Sequence, residues 1–146
     1  MLYDCAMPHL VIEFSANVGD VVDVDELVAE LHDAALATGI APLDALRTRA
    51  AAREHYAIAD READNMFVAV TARFGAGRSD ADKQHLLDAL MGRLDSILGE
   101  RQRTMMLSVE YQEIDPTFRV NKNNLRPLIG RRTGGDADQR KDGDGR

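Results

Sequence analysis

The sequence predicts an α+β domain made of two β-α-β units, with a four-stranded mixed sheet and two helices on one face. Three observations lead there. Two segments, DVDELVAELHDAALATG and SDADKQHLLDALMGRLDSILGE, carry apolar residues at helical spacing. Short apolar runs of strand character flank each of them. The order strand, helix, strand recurs in both halves although the halves share little residue identity, so they form a structural pseudo-repeat. A helix between two strands of one sheet implies a parallel pair joined by a right-handed crossover.

The elements follow in order. LVIEF, residues 10–14, is an apolar run suited to a strand, and SANVGD is the loop after it. In the first helix Val24, Leu27, Val28, Leu31 and Ala35 share a face, Asp23 is the N-cap, and Glu26 follows three residues later. Gly39 ends this helix and Pro42 prevents its restart. Residues 45–51 read as a strand whose alternate arginines, Arg47 and Arg49, point one way, although the alanines also suit a helix. A short edge strand is expected at residues 56–59. MFVAVTARF, residues 66–74, is the strongest strand, rich in β-branched and aromatic residues. Ser79 and Asp82 form a capping box for the second helix, whose stripe is Leu86, Leu87, Leu90, Met91, Leu94, Ile97 and Leu98. Residues 104–114 make the last strand. The domain is expected to span residues 8–126, with residues 1–7 as an extension outside the mature chain. Residues 127–146, Gly-, Asp- and Arg-rich without apolar periodicity, are expected to be a disordered tail. Alternate residues of 66–74 and 104–109 are also apolar, so the second face of the sheet needs a cover, and an oligomer is expected.

Bulk composition narrows the function. A length of 146 residues fits one domain able to bury a core without disulfides or metals. A net charge of −7 argues against a nucleic-acid partner. No run approaches a membrane span, and no secretory signal opens the chain. The single cysteine, Cys5, cannot form an internal disulfide, which fits a reducing cytoplasm. An acidic chain binds an anion only where arginines are gathered against the general field.

Most reactive groups are set aside by spacing. His9, His32, His55 and His85 are scattered and lack any metal-ligand pattern, so no metal is expected. GAGR before a helix lacks the Gly-Lys-Ser/Thr of a phosphate loop. Two readings remain for the opening MLYDCAMPHLVIEF. Pro8 is a strand-initiating proline, or, if translation begins at Met7 and that residue is removed, it is a chain-terminal secondary amine. Burial and nearby cations disfavour the ammonium of such an amine. They bring it toward neutrality, where a general base works best.

The blocks MPHLVIEFSANV, LATGIAPLDALRTRA, VTARFGAGRSDADKQ and LSVEYQEIDPTFRVNKNN, in this order from Pro8 to about Asn124, resemble the 5-carboxymethyl-2-hydroxymuconate isomerase family of the tautomerase superfamily. The resemblance implies a trimer of β-α-β pseudo-repeats, no cofactor, and an amino-terminal proline as general base. It implies a small, unsaturated polycarboxylate substrate from aromatic catabolism such as homoprotocatechuate degradation. Pro8 would move a proton along a conjugated system and shift a C=C bond. Arg47, with Arg49 beside it, would hold one carboxylate and Arg78 another, and these cations would stabilise the dienolate. Without the resemblance, Arg47 and Arg49 are arginines paired with helix acids, and Arg78 is a solvated loop residue. The six residues before Met7 depart from the family pattern, since a proline inside a chain is an amide without usable basicity. Three explanations are open: Met7 is the true initiator, the extension is cleaved, or it stays and the chain is a non-catalytic trimeric binding module. A tautomerase with another keto-enol substrate is a further alternative.

Overall fold

The computed structural model describes residues 7–138. The expected extension therefore lies outside the described residues, except for Met7, as does the tail beyond Asp138. Four strands form the sheet: β1 (His9–Ser15), β2 (Arg47–Arg53), β3 (Met66–Gly75) and β4 (Met105–Ile114), in spatial order β2-β1-β3-β4. β1 pairs parallel with β2, and β3 parallel with β4, while β1 and β3 run antiparallel through the middle. The two β-α-β units thus share one mixed sheet, as the repeat of grammar predicts.

Helices α1 (Val24–Ala37) and α2 (Asp80–Leu98) cover one face. Both caps read from the sequence are present: the Asp23 carboxylate accepts from the Glu26 amide, and the Ser79 hydroxyl from the Asp82 amide. From α1, Leu27, Leu31 and Ala35 are fully buried; from α2, Leu86, Leu90, Leu94 and Leu98 form a stripe at four-residue spacing. They meet Leu10, Ile12 and Phe14 of β1 and Val68, Val70, Ala72 and Phe74 of β3. Strand alternation puts every second residue of β1 and β3 into this core.

The same alternation composes the open face. The register places Arg47, His9, Arg73 and Gln112 in one row across the four strands, and Arg49, Val11, Thr71 and Glu110 in the next. Ala51, Glu13, Ala69 and Ser108 follow. The open face is therefore less apolar than the strand sequences alone suggest: arginines gather at the end where β1 and β2 begin.

Three expectations are corrected. β2 starts two residues late, because Ala45 and Leu46 close a turn in which both amides donate to the Pro42 carbonyl. Residues 56–59 are not a strand. Ala59 and Arg61 adopt left-handed backbone at φ 49° and 69°, which no strand accommodates. The connection is held instead by side chains: Asn65 Nδ2 donates to the Ile58 carbonyl and to Asp60 Oδ1, and Asn17 Nδ2 donates to the Asn65 carbonyl. Finally, residues 126–138 form a third helix, α3, where a disordered tail is expected from residue 127. Asn123 Oδ1 accepts from the Leu125 and Arg126 amides, its Nδ2 donates to the Asp44 carbonyl, and Arg126 Nε pairs with Asp44 Oδ2 at 2.9 Å. Composition hides this helix because its start is fixed by polar side chains rather than by an apolar stripe.

Candidate active site

Pro8 is buried immediately before β1. Its carbonyl accepts from the Arg47 amide at 3.1 Å, which fixes the start of β2 against the start of β1. Parallel register does the rest: a strand that begins at Arg47 beside His9 presents Arg47 and Arg49 on the open face next to the His9 ring. Arg47 Nη2 lies 2.9 Å from His9 Nε2, and Arg49 Nη1 lies 2.9 Å from His9 Nδ1. A neutral imidazole has one lone pair to offer, so it accepts from only one of the two guanidiniums. Burial, then Arg47, Arg49 and Arg73, lower the His9 pKa from its ordinary 6.5 to about 4. The ring is neutral at physiological pH and does not offset its neighbours. Burial and Arg49 also lower the pKa of Arg47, meaning that its charge is held against both. Neither Arg47 nor Arg49 has a carboxylate partner among the described residues. The ion pairing with helix acids considered for them is not how they are used.

Met7 precedes Pro8 in the sequence, so the Pro8 ring nitrogen is an amide in this chain. The Met7 carbonyl accepts from Arg47 Nη2 at 2.9 Å. Two pockets adjoin Met7. One, of about 350 Å³, is lined by Arg47, Leu43, Leu46, Lys122, Asn123 and Ile129, so α3 forms one of its walls. The other, of about 260 Å³, is lined by His9, Arg73, Ile114, Asp115, Phe118 and Arg119. A larger cavity of about 550 Å³ lies away from Pro8, between α1 and α2. Its arginines are already engaged: Arg93 with Glu30, and Arg101 with the carbonyls of Val21, Ile97 and Leu98.

Arg78 behaves differently from Arg47 and Arg49. Gly77, at φ 113°, turns the chain out of β3 and leaves Arg78 just before α2. The guanidinium then folds back, donating to the Gly75 carbonyl at 3.1 Å and the Ile40 carbonyl at 3.2 Å, and lies 4.9 Å above the Phe74 ring. It is neither a solvated loop arginine nor hydrogen-bonded to Pro8, Arg47 or Arg49. The Tyr111 phenol nearby is pushed up by burial, an effect the Arg78 charge partly opposes. The structure thus joins Pro8, Arg47 and Arg49 into one cluster and holds Arg78 apart. Sequence reasoning missed His9, Arg73 and Arg119. The pair His9 and Arg73 becomes visible only once β1 and β3 are paired, and Arg119 lies in a segment without periodicity.

Residues 8–129 match the family profile described as 5-carboxymethyl-2-hydroxymuconate isomerase. A protein of Escherichia coli named 5-carboxymethyl-2-hydroxymuconate Delta-isomerase is 32% identical over 125 residues, covering 84% of this chain and 99% of its own length. The crystal structure of a 5-carboxymethyl-2-hydroxymuconate isomerase from Deinococcus radiodurans R1 superposes with a TM-score of 0.81 at 34% identity, over 88% of this chain and 98% of that one. A crystal structure of a 5-carboxymethyl-2-hydroxymuconate delta-isomerase gives 0.79 at 27% identity, over 88% and 97%. With the β-α-β pseudo-repeat and the arginine cluster at its edge, these matches identify the chain as an isomerase of the tautomerase superfamily, a member of the 5-carboxymethyl-2-hydroxymuconate isomerase family.

Proposed function

We propose that the protein isomerises 5-carboxymethyl-2-hydroxymuconate or a similar unsaturated polycarboxylate, with Pro8 as the general base once it is the first residue of the chain. The proline amine takes the proton from the substrate enol or its carbon. A dienolate forms, and the prolyl ammonium returns the proton to a carbon further along, so that a C=C bond moves and the amine is restored. Arg47, with Arg49, holds one carboxylate and stabilises the developing negative charge. Arg78 holds another through N–H donors beyond the two already committed to carbonyls. The step is a proton transfer without redox change, and no cofactor is proposed for it.

The observation that carries this reading is the pair of guanidiniums at Arg47 and Arg49, set beside the start of β1 with no carboxylate partner among the described residues. The family match opens at residue 8, which supports Pro8 as the functional terminus. The chain is further proposed to act as a homotrimer without nucleic-acid or membrane partners. Phe118 is 96% exposed and Val120 99%, and the open sheet face exposes Met106, all of which a second copy would cover.

The test compares two chains: the full sequence, and one in which Met7 is the initiator and is removed to expose Pro8. Ultraviolet absorbance follows the loss of the substrate's conjugated dienol. The chain beginning at Pro8 is expected to turn over at least ~100-fold faster. Equal rates would remove the free amine from the mechanism. One observation favours a second reading, a binding module: in the longer chain Arg47 is occupied by the Met7 carbonyl. An intact mass of the native protein that retains Met1 would support that reading, and a mass beginning at Pro8 would support catalysis.

A further inference from the structure

The pocket between the start of β1 and the segment after β4 has an imbalance that the isomerase reading above does not use. Two guanidiniums, Arg73 and Arg119, line it together. Arg119 Nη1 is shut off from solvent and has no hydrogen-bond partner. Neither arginine has a hydrogen-bond or ion-pair partner among the described residues. A buried N–H without an acceptor is costly, more so on a charged group, and such groups are normally satisfied. The acid in the same pocket does little to help: Asp115 Oδ1 accepts from the Thr117 amide at 2.9 Å, tying its carboxylate to its own turn. His9, also in the lining, is neutral. The pocket, of about 260 Å³, is therefore lined by two guanidiniums against one carboxylate, and one of those guanidiniums carries a buried N–H without an acceptor.

We propose that this pocket is a further anion subsite, beside those assigned to Arg47 and Arg78, in which Arg119 and Arg73 bind the third carboxylate of a tricarboxylate. The placement supports this. His9 meets Arg47 and Arg49 on one side and lines the pocket with Arg73 on the other, so the two cationic regions adjoin. Met7 borders both as well. A ligand with carboxylates on separate arms spans the two, whereas a monocarboxylate fills one. Asn121, in the same lining, supplies an amide beside the guanidiniums. The proposal deepens the isomerase reading by assigning selectivity for a tricarboxylate to Arg73 and Arg119.

Binding, rather than turnover, tests it on the full chain, so its outcome does not depend on a free Pro8 amine. Calorimetry with propane-1,2,3-tricarboxylate, which has no double bond to isomerise, is expected to show binding. Arg119→Gln and Arg73→Gln should each weaken it roughly 10- to 100-fold. Arg53→Gln removes the same charge from the other end of β2, where Arg53 pairs with Glu13, and should leave affinity unchanged. Arg119→Lys, which keeps the charge but loses the planar fork, should fall between. Equal weakening by the Arg53 and Arg119 variants would overturn the proposal in favour of a general field effect. A change in subunit number on Arg119→Gln with tricarboxylate affinity unaltered would overturn it in favour of an ion pair to a second copy. If the chain that begins at Pro8 binds the tricarboxylate through Arg119 but isomerises nothing, the subsite stands and the enzymatic reading is lost.

Discussion

At the scale of single residues, the site is a problem of uncompensated charge. His9 makes this measurable. In the unfolded chain its ring takes up a proton near pH 6.5, and in the folded chain only near 4. Between those values the unfolded state binds more protons. Stability is therefore fully present above about pH 6.5 and falls as the pH drops toward 4. The site is partly open to solvent, which screens the arginines, so the loss is about 1 kcal/mol. Urea unfolding at pH 7, 6, 5 and 4 should show this slope, and His9→Asn should remove that part of it; an unchanged slope would contradict the placement of His9. For Arg47, replacement by Gln is expected to lower kcat/KM on the polycarboxylate roughly 10- to 100-fold, through KM for the lost carboxylate contact and through kcat for the lost stabilisation of the dienolate. Lysine should recover only part, because a point charge does not reproduce the fork. Arg47 and Arg49 were legible in the sequence because alternate strand positions face one way. His9 was not, since its role depends on which residue of another strand stands beside it.

The elements show where local grammar suffices. α1 and α2 begin at the caps Asp23 and Ser79, and their apolar stripes are the buried ones. β3, with β-branched and aromatic residues in alternation, lies where its sequence places it. Three parts escaped: the true start of β2, the turn-rich segment at residues 56–59, and α3. Each is set by a polar contact with a residue distant in sequence or by a backbone turn, and neither leaves a periodic trace. α3 is the instructive case. Its first turn is held by Asn123 and by the ion pair of Arg126 with Asp44, residues some eighty positions apart. Asn123→Ala removes the acceptor for two amides and is expected to destabilise the helix by about 1 kcal/mol. Hydrogen exchange of the Ile129 amide, which donates to the Leu125 carbonyl, should quicken, while amides in α1 and α2 keep their protection. Because α3 walls the pocket beside Arg47, the same variant should raise KM.

For the whole molecule, one copy leaves a sheet face uncovered and two apolar side chains, Phe118 and Val120, almost entirely in water. Assembly into the proposed trimer is expected to bury them. Sedimentation should report three chains per particle, and Ala69→Arg, a bulky charge in the middle of the open face, should dissociate it; a monomer in the unmodified protein would end this part of the account. The central claim is narrower: Pro8, as chain terminus, is an amine poised near neutrality by burial and by Arg47 and Arg49. It is tested most directly by following the ¹⁵N resonance of Pro8 against pH in a chain that begins there. The account predicts a titration midpoint between about 6 and 8, matching the rising limb of the kcat/KM profile. A midpoint above about 9, or a rate profile indifferent to that titration, would contradict it.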